Sequence, residues 1–202
     1  MKIRFARAFT LLELLSVIAI LGILAALLYP GLSSARRSAT KAKTKVRFAQ
    51  WTAAVESFRS EYGHYPILDA GGLVNGGVTE TDHLFHDLLA ARKRSGAALA
   101  AGDAALVQNR KAIAFHSFGE DELNEANLVC DASGNTGLAV LTDRDLDGMI
   151  KPGADYTALP ALNGMTPTSV DIPTTGLRAG VIFYAPAPGA TAANPEFVFS
   201  WK

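Results

Sequence analysis

From Phe9 to Tyr29 the chain carries an apolar run of 21 residues, FTLLELLSVIAILGILAALLY, broken by one ionisable side chain, Glu13. A helix of about 20 apolar residues spans the hydrocarbon core of a bilayer, so this run decides the class of structure before anything else does. A carboxylate at the centre of a membrane helix costs roughly 2.5–3.5 kcal/mol on insertion scales. Glu13 stands close to the start of the run, where it either meets a specific partner or reaches out to the membrane interface. Lys2, Arg4 and Arg7 precede the run, and the first eight residues contain no acid. From Gly31 to Val55 there are six basic residues, Arg36, Arg37, Lys41, Lys43, Lys45 and Arg47, and again no acid. Positive flanks favour the cytoplasmic side, and here both flanks are positive, so flanking charge does not decide the orientation. A basic leader followed by an apolar run also fits a cleaved secretory signal, for which Ser33-Ser34-Ala35 is the best candidate site.

Helical spacing resumes directly after Pro30 and Gly31, so these residues are expected to kink a helix rather than end it. Leu32, Ala35, Ala39, Ala42, Val46, Ala49 and Ala53 recur at helical spacing, and Phe48, Trp51, Val55, Phe58 and Tyr62 form a second series. At 100° per residue the two series lie on roughly opposite faces. The small-residue face suits close approach of another helix, and the aromatic face suits packing onto a sheet. A helix from Phe9 to about Tyr62 would be ~80 Å long. Gly63 and Pro66, in EYGHYP, stop it.

The remainder reads as one modest globular domain. Ala70 to Gly77 is a glycine-rich loop, and Thr81 to Arg94 predicts a helix capped near Thr81 with Leu84, Phe85 and Leu88 inward. A further helix is expected around Ala104 to Lys111. Strands are expected at Leu138 to Thr142, Val181 to Ala185 and Phe197 to Trp201, the last two as a hairpin. Ala154 to Gly176, rich in Pro, Thr and Gly, predicts an extended surface loop. Cys130 is the single cysteine, which excludes an intrachain disulfide and suits a buried structural thiol.

Few motifs carry chemistry. Asp143, Asp145 and Asp147 alternate ahead of Gly148 and Ile150, which is the first half of a calcium loop: oxygen ligands converge on one cation and the glycine permits the turn. The acid that closes an EF-hand at its twelfth position is replaced by Ala154, with Asp155 one residue on. His83 and His86, beside Asp82 and Asp87, have the spacing of a metal pair, but lack further ligands and predict a solvated helix face. No nucleophile elbow, zinc-protease motif, Walker loop or dinucleotide fingerprint is present, so an enzyme is not expected. A net charge of zero gives no argument for nucleic acid as a partner.

The stretch ARAFTLLELLSVIAILGILAALLYP, Ala6 to Pro30, resembles the class III signal of type IV prepilins and type II secretion pseudopilins. The likeness rests on a short basic leader ending in a small residue (Ala8, where the family usually has Gly), then Phe9, Glu13 and Pro30. It implies an α+β, type IV pilin-like fold: a long N-terminal helix, half transmembrane and half amphipathic, packed on a small C-terminal antiparallel sheet. It implies cleavage between Ala8 and Phe9 by a prepilin peptidase, N-methylation of Phe9, and roles for Glu13 and Pro30 in assembly, Glu13 neutralising the Phe9 amine of a neighbouring subunit. Residues 1–8 are then the leader, 9–30 the transmembrane and filament-core helix, 31–62 its amphipathic continuation, and 63–202 a globular periplasmic domain. The EYGHYP junction is similar to the same family's, and Asp131, Gly134 and Asn135 are similar to a segment of G-type major pseudopilins. Those proteins often bind calcium near the C-terminus, which points to calcium at Asp143, Asp145 and Asp147.

The resemblance thus implies a single-pass protein of the bacterial inner membrane, partnered by lipid, its own copies, other pseudopilins and the secretion assembly platform. Two alternatives stay open: a type IV pilus subunit for adhesion, motility or DNA uptake, and a membrane-anchored binding domain that does not polymerise.

Overall fold

A computed structural model describes residues 11–68, 71–79 and 81–202, with the side chains of residues 25 and 27–31 excepted. The chain forms two compact units, one up to Ala39 and one from Thr40 to Lys202. Helix α1 runs from Leu11 to Tyr62, through Pro30 and Gly31, as the resumed spacing requires. It ends at Gly63, whose φ of 79° is disfavoured for other residues and whose N–H closes the last turn on the Arg59 carbonyl at 2.7 Å.

In the first unit the apolar side chains of α1 from Leu11 to Leu24 are exposed. Among the described residues no helix is long and apolar enough to cross a membrane. The transmembrane half expected over residues 9–30 lies partly outside the described residues.

The second unit is built on a three-stranded antiparallel sheet in the order β1-β2-β3, with β1 at Ala139–Thr142, β2 at Val181–Pro186 and β3 at Phe197–Phe199. Val140 pairs with Phe183, and Tyr184 with Phe199. A long helix joined to a small antiparallel sheet is the α+β arrangement of the type IV pilin-like fold. Successive strand residues face opposite sides of a sheet, and here both sides are buried. On one side, Val140, Val181, Phe183, Ala185 and Val198 pack with Phe48, Trp51, Val55 and Phe58 of α1. Phe48, Trp51 and Phe58 are fully buried, each contributing about 2–3 kcal/mol of transfer free energy. The second series of α1 thus faces the sheet, as its spacing predicts. The first series, from Leu32 to Ala53, is exposed throughout.

On the other side, Ala139, Leu141, Ile182, Tyr184 and Phe199 meet Ile150, Leu162 and Ile172. The segment 154–176 is therefore not the extended surface loop that its composition suggests. A sheet with apolar residues on both faces needs a second cover, and this segment supplies it. The buried Tyr184 hydroxyl donates to the Pro160 carbonyl at 2.9 Å.

Helices α2, Leu84–Ala90, and α3, Ala104–Gln108, are shorter than expected, and a 3₁₀ turn at Glu120–Glu122 was not foreshadowed by any periodicity. Phe85 and Leu88 point inward and Leu84 is half-buried. Asp131, Gly134 and Asn135 make a tight turn: Asp131 Oδ1 accepts the N–H of Ser133 and of Asn135 at 2.8 and 2.9 Å.

Candidate functional site

The residues expected to be processed, Ala8 and Phe9, lie outside the described residues. Glu13 falls in the first turn of α1 and is exposed. Its carbonyl accepts the Ser16 hydroxyl at 2.9 Å. Pro30 lies within the helix.

From Thr40 onward α1 is held to the rest of the second unit by polar contacts as well as by its aromatic stripe. Lys41 pairs with Glu196, and Lys43 with Asp121 at 2.9 Å. Arg47, buried despite its charge, also pairs with Asp121 and donates to the Cys130 carbonyl at 3.1 Å. One turn on, the Trp51 indole N–H donates to Glu122 Oε1 at 2.7 Å. Burial raises the Glu122 carboxyl, but the His116 ring, the Gly119 N–H and the Trp51 indole outweigh it, so the group lies below the usual glutamate range. Asp121 is held lower still, at about 2, by Lys43 and Arg47. Two consecutive acids thus clasp three donors spaced along α1. Cys130 is buried, as expected, and burial pushes its thiol up.

The Glu56 carboxylate accepts the Tyr65 hydroxyl at 2.9 Å over Gly180, where a methyl group would overlap that hydroxyl. Burial and the Glu56 carboxylate push the Tyr65 phenol up to about 12. The Gly180 carbonyl accepts the Asp143 N–H at 2.9 Å, which connects the end of α1 to the acidic loop.

In that loop, carboxylate oxygens of Asp143, Asp145 and Asp147 lie within 4.8 Å of one another. Asp143 is buried; its two oxygens accept the N–H groups of Asp147 at 3.2 Å and Gly148 at 2.8 Å. Burial pushes the Asp143 carboxyl up, with Asp145 and Asp155 adding to the effect. Concentrated carboxylates with a buried member fit a hard divalent cation chemically. Ala154 offers no ligand where an EF-hand has its last acid. Asp155, also buried, instead accepts the N–H groups of Arg144 at 2.6 Å and Lys151 at 2.8 Å, closing the loop at its base. The Lys151 ammonium pairs with Asp147 and lies 3.5 Å from Asp145.

His83 and His86 are buried, not on a solvated face. His83 caps α2: its Nδ1 accepts the His86 N–H at 3.3 Å, so Nε2 carries the proton that goes to Asn75 Oδ1 at 2.8 Å. His86 Nδ1 meets Asp87 Oδ1 at 2.9 Å. Burial, then Arg94 and His86, depress His83 to about 4. These rings serve the protein's own hydrogen bonding, and among the described residues no histidine joins a metal-competent group.

Residues 3–29 match the family model of the prokaryotic N-terminal methylation motif. That motif is found in type IV pilin-like proteins, where it implies processing by a prepilin peptidase and assembly with other pilin-like subunits, and it points to a membrane anchor. No curated protein and no solved structure matches the chain.

Proposed function

We propose that this protein is a structural subunit of a type II secretion pseudopilus. The observation that carries the reading is the methylation motif over residues 3–29, continuous with a helix that buries one face and leaves the small-residue face open. A prepilin peptidase cuts between Ala8 and Phe9 and methylates the new terminus. The apolar run anchors the subunit in the inner membrane with its globular domain in the periplasm. On entry into the filament, Glu13 neutralises the Phe9 amine of a neighbour. A charge pair shielded from water is stronger than one in it, so the pairing sets the axial register. The lone cysteine, which leaves no disulfide pair near the C-terminus, supports a pseudopilus over a pilus.

Mass spectrometry of the protein from its native cell tests the reading. N-methylated Phe9 as the first residue is the expected result, and a start near Arg36 would refute it. Secretion that persists after deletion of the gene would remove the secretion role and leave the pilus.

Calcium is the second part of the proposal, with Asp143, Asp145 and Asp147 as its ligands. The ion would supply the positive charge that three neighbouring carboxylates need, and would stiffen the loop attached to Gly180. The full chain in detergent should melt higher with calcium than with chelator, and changing all three residues to Asn should abolish the difference. An unmoved melting temperature in the unmodified chain would sink this part.

A further inference from the structure

The carboxylate oxygens of the acidic loop are not equally free. Asp143 uses both of its own on backbone N–H groups, Oδ1 on Asp147 and Oδ2 on Gly148. Asp145 Oδ1 accepts the Asp147 N–H at 3.4 Å, and Asp147 Oδ1 accepts the Met149 N–H at 2.9 Å. Among the described residues no backbone N–H reaches Asp145 Oδ2 or Asp147 Oδ2, and the Lys151 ammonium sits on both, paired with Asp147 and 3.5 Å from Asp145. We propose that Lys151 is the loop's own counter-ion, that calcium has to displace its ammonium, and that this competition sets the calcium affinity of the loop. The inference rests on the calcium reading above.

The backbone of Lys151 is pinned on both sides of its N–H. Ile150, fully buried, exchanges two backbone hydrogen bonds with Leu177 at 2.8 and 2.9 Å, and the Lys151 N–H donates to the buried Asp155. The stem lies over Gly176, where a methyl group would come within 3.2 Å of Lys151 Cβ. What can move is the end of the side chain, a compact charge on a flexible four-carbon stem. A tethered group of this kind competes at an effective concentration of the order of millimolar, whatever the solvent holds. Calcium draws its ligand oxygens to about 2.3–2.6 Å, so an ion bridging Asp145 and Asp147 through these oxygens would stand against the ammonium and repel it. Charge decides which ions win. A monovalent ion that displaces the ammonium returns only the charge it removes, whereas a divalent ion adds one. Lys151 therefore tunes the loop to divalent cations, and it also offsets the mutual repulsion of the acids, so the loop closes before it meets an ion.

Calcium affinity of the full chain in detergent, read by competition with a chelating dye, provides the test. Lys151→Met keeps the stem and removes the charge. It should bind calcium roughly tenfold more tightly than the unmodified chain and melt lower in chelator. Lys151→Arg, which keeps the charge, should stay close to the unmodified chain in both respects. In the unmodified chain the Lys151 amine should acylate faster with calcium than with chelator, by mass spectrometry of its peptide, and sodium at the same ionic strength should leave it protected. A lysine that merely held the fold together would show no such change. Equal calcium affinity in Lys151→Met and the unmodified chain, or acylation indifferent to calcium in a chain that binds it, overturns the inference and leaves the calcium reading standing. Binding by neither chain overturns both. Binding by Lys151→Met alone upholds the inference, the lysine having taken the place of the ion.

Discussion

Acid should destabilise this protein through one neutral histidine. The folded state uses His83 in a single tautomer, accepting at Nδ1 and donating from Nε2 to Asn75, with Arg94, His86 and Asp87 as its charged or titratable neighbours. Protonation removes the Nδ1 acceptor and places a cation in a buried site. The folded-state value is depressed to about 4 from an ordinary 6.5. The stabilisation is therefore complete above the unfolded value of about 6.5, declines as the pH falls, and is gone below the folded value. A difference of about 2.5 units at 1.36 kcal/mol each gives about 3 kcal/mol lost by about pH 4. Urea unfolding of the full chain in detergent, at neutral pH and near pH 4, measures the change. His83→Gln keeps a donor for Asn75 but cannot titrate, so its pH dependence should be shallower by about 3 kcal/mol. Equal pH dependence in the two proteins, or an NMR titration of His83 near 6.5, would refute the reasoning.

Other outcomes follow from the same contacts. Glu122 lies below the usual range, so its contribution is present above about pH 4.3 and fades as the pH falls through its folded value; Glu122→Gln should flatten that part of the stability profile. Phe48→Ala, at a fully buried ring 5.8 Å from both Trp51 and Phe183, should cost about 3–5 kcal/mol by urea unfolding. Gly180→Ala should lower the melting temperature by forcing the Tyr65 hydroxyl away from Glu56, and Tyr65→Phe in the same chain should recover part of the loss. Ala49→Leu, on the exposed face of α1, should leave unfolding within about 0.5 kcal/mol of the unmodified chain while blocking polymer.

The fold was legible where the signal is local and periodic. Phe48, Trp51, Val55 and Phe58 announce their shared face by spacing alone, and the short β-branched and aromatic runs at β1 and β2 could hardly form anything else. Long-range polar contacts leave no such trace. Nothing near Arg47 shows that an acid 74 residues away will allow it to be buried. His83 and His86 look like surface residues because histidine is polar, yet both are buried, and His83 Nε2 meets Asn75 Oδ1 only because the fold brings that side chain alongside. The segment 154–176 has no period because it covers a sheet without being regular itself. At the acidic loop, alternation brings three carboxylates together, but the part played by Asp155 depends on backbone N–H groups, which sequence pattern does not reveal.

The clasp on α1 also gives the basic stretch two electrostatic identities. As an unfolded chain, Gly31 to Val55 shows six positive charges and no negative one, and would be drawn to anionic lipid or held back by any device that counts cations. Once folded, Glu196 and Asp121 are paired with Lys41, Lys43 and Arg47, and the cationic field of the segment shrinks to what lies outside those pairs. A surface that reads positive charge therefore meets six unoffset cations before folding and, afterwards, a helix on which three of them share two acids. Folding itself weakens the attachment to that surface.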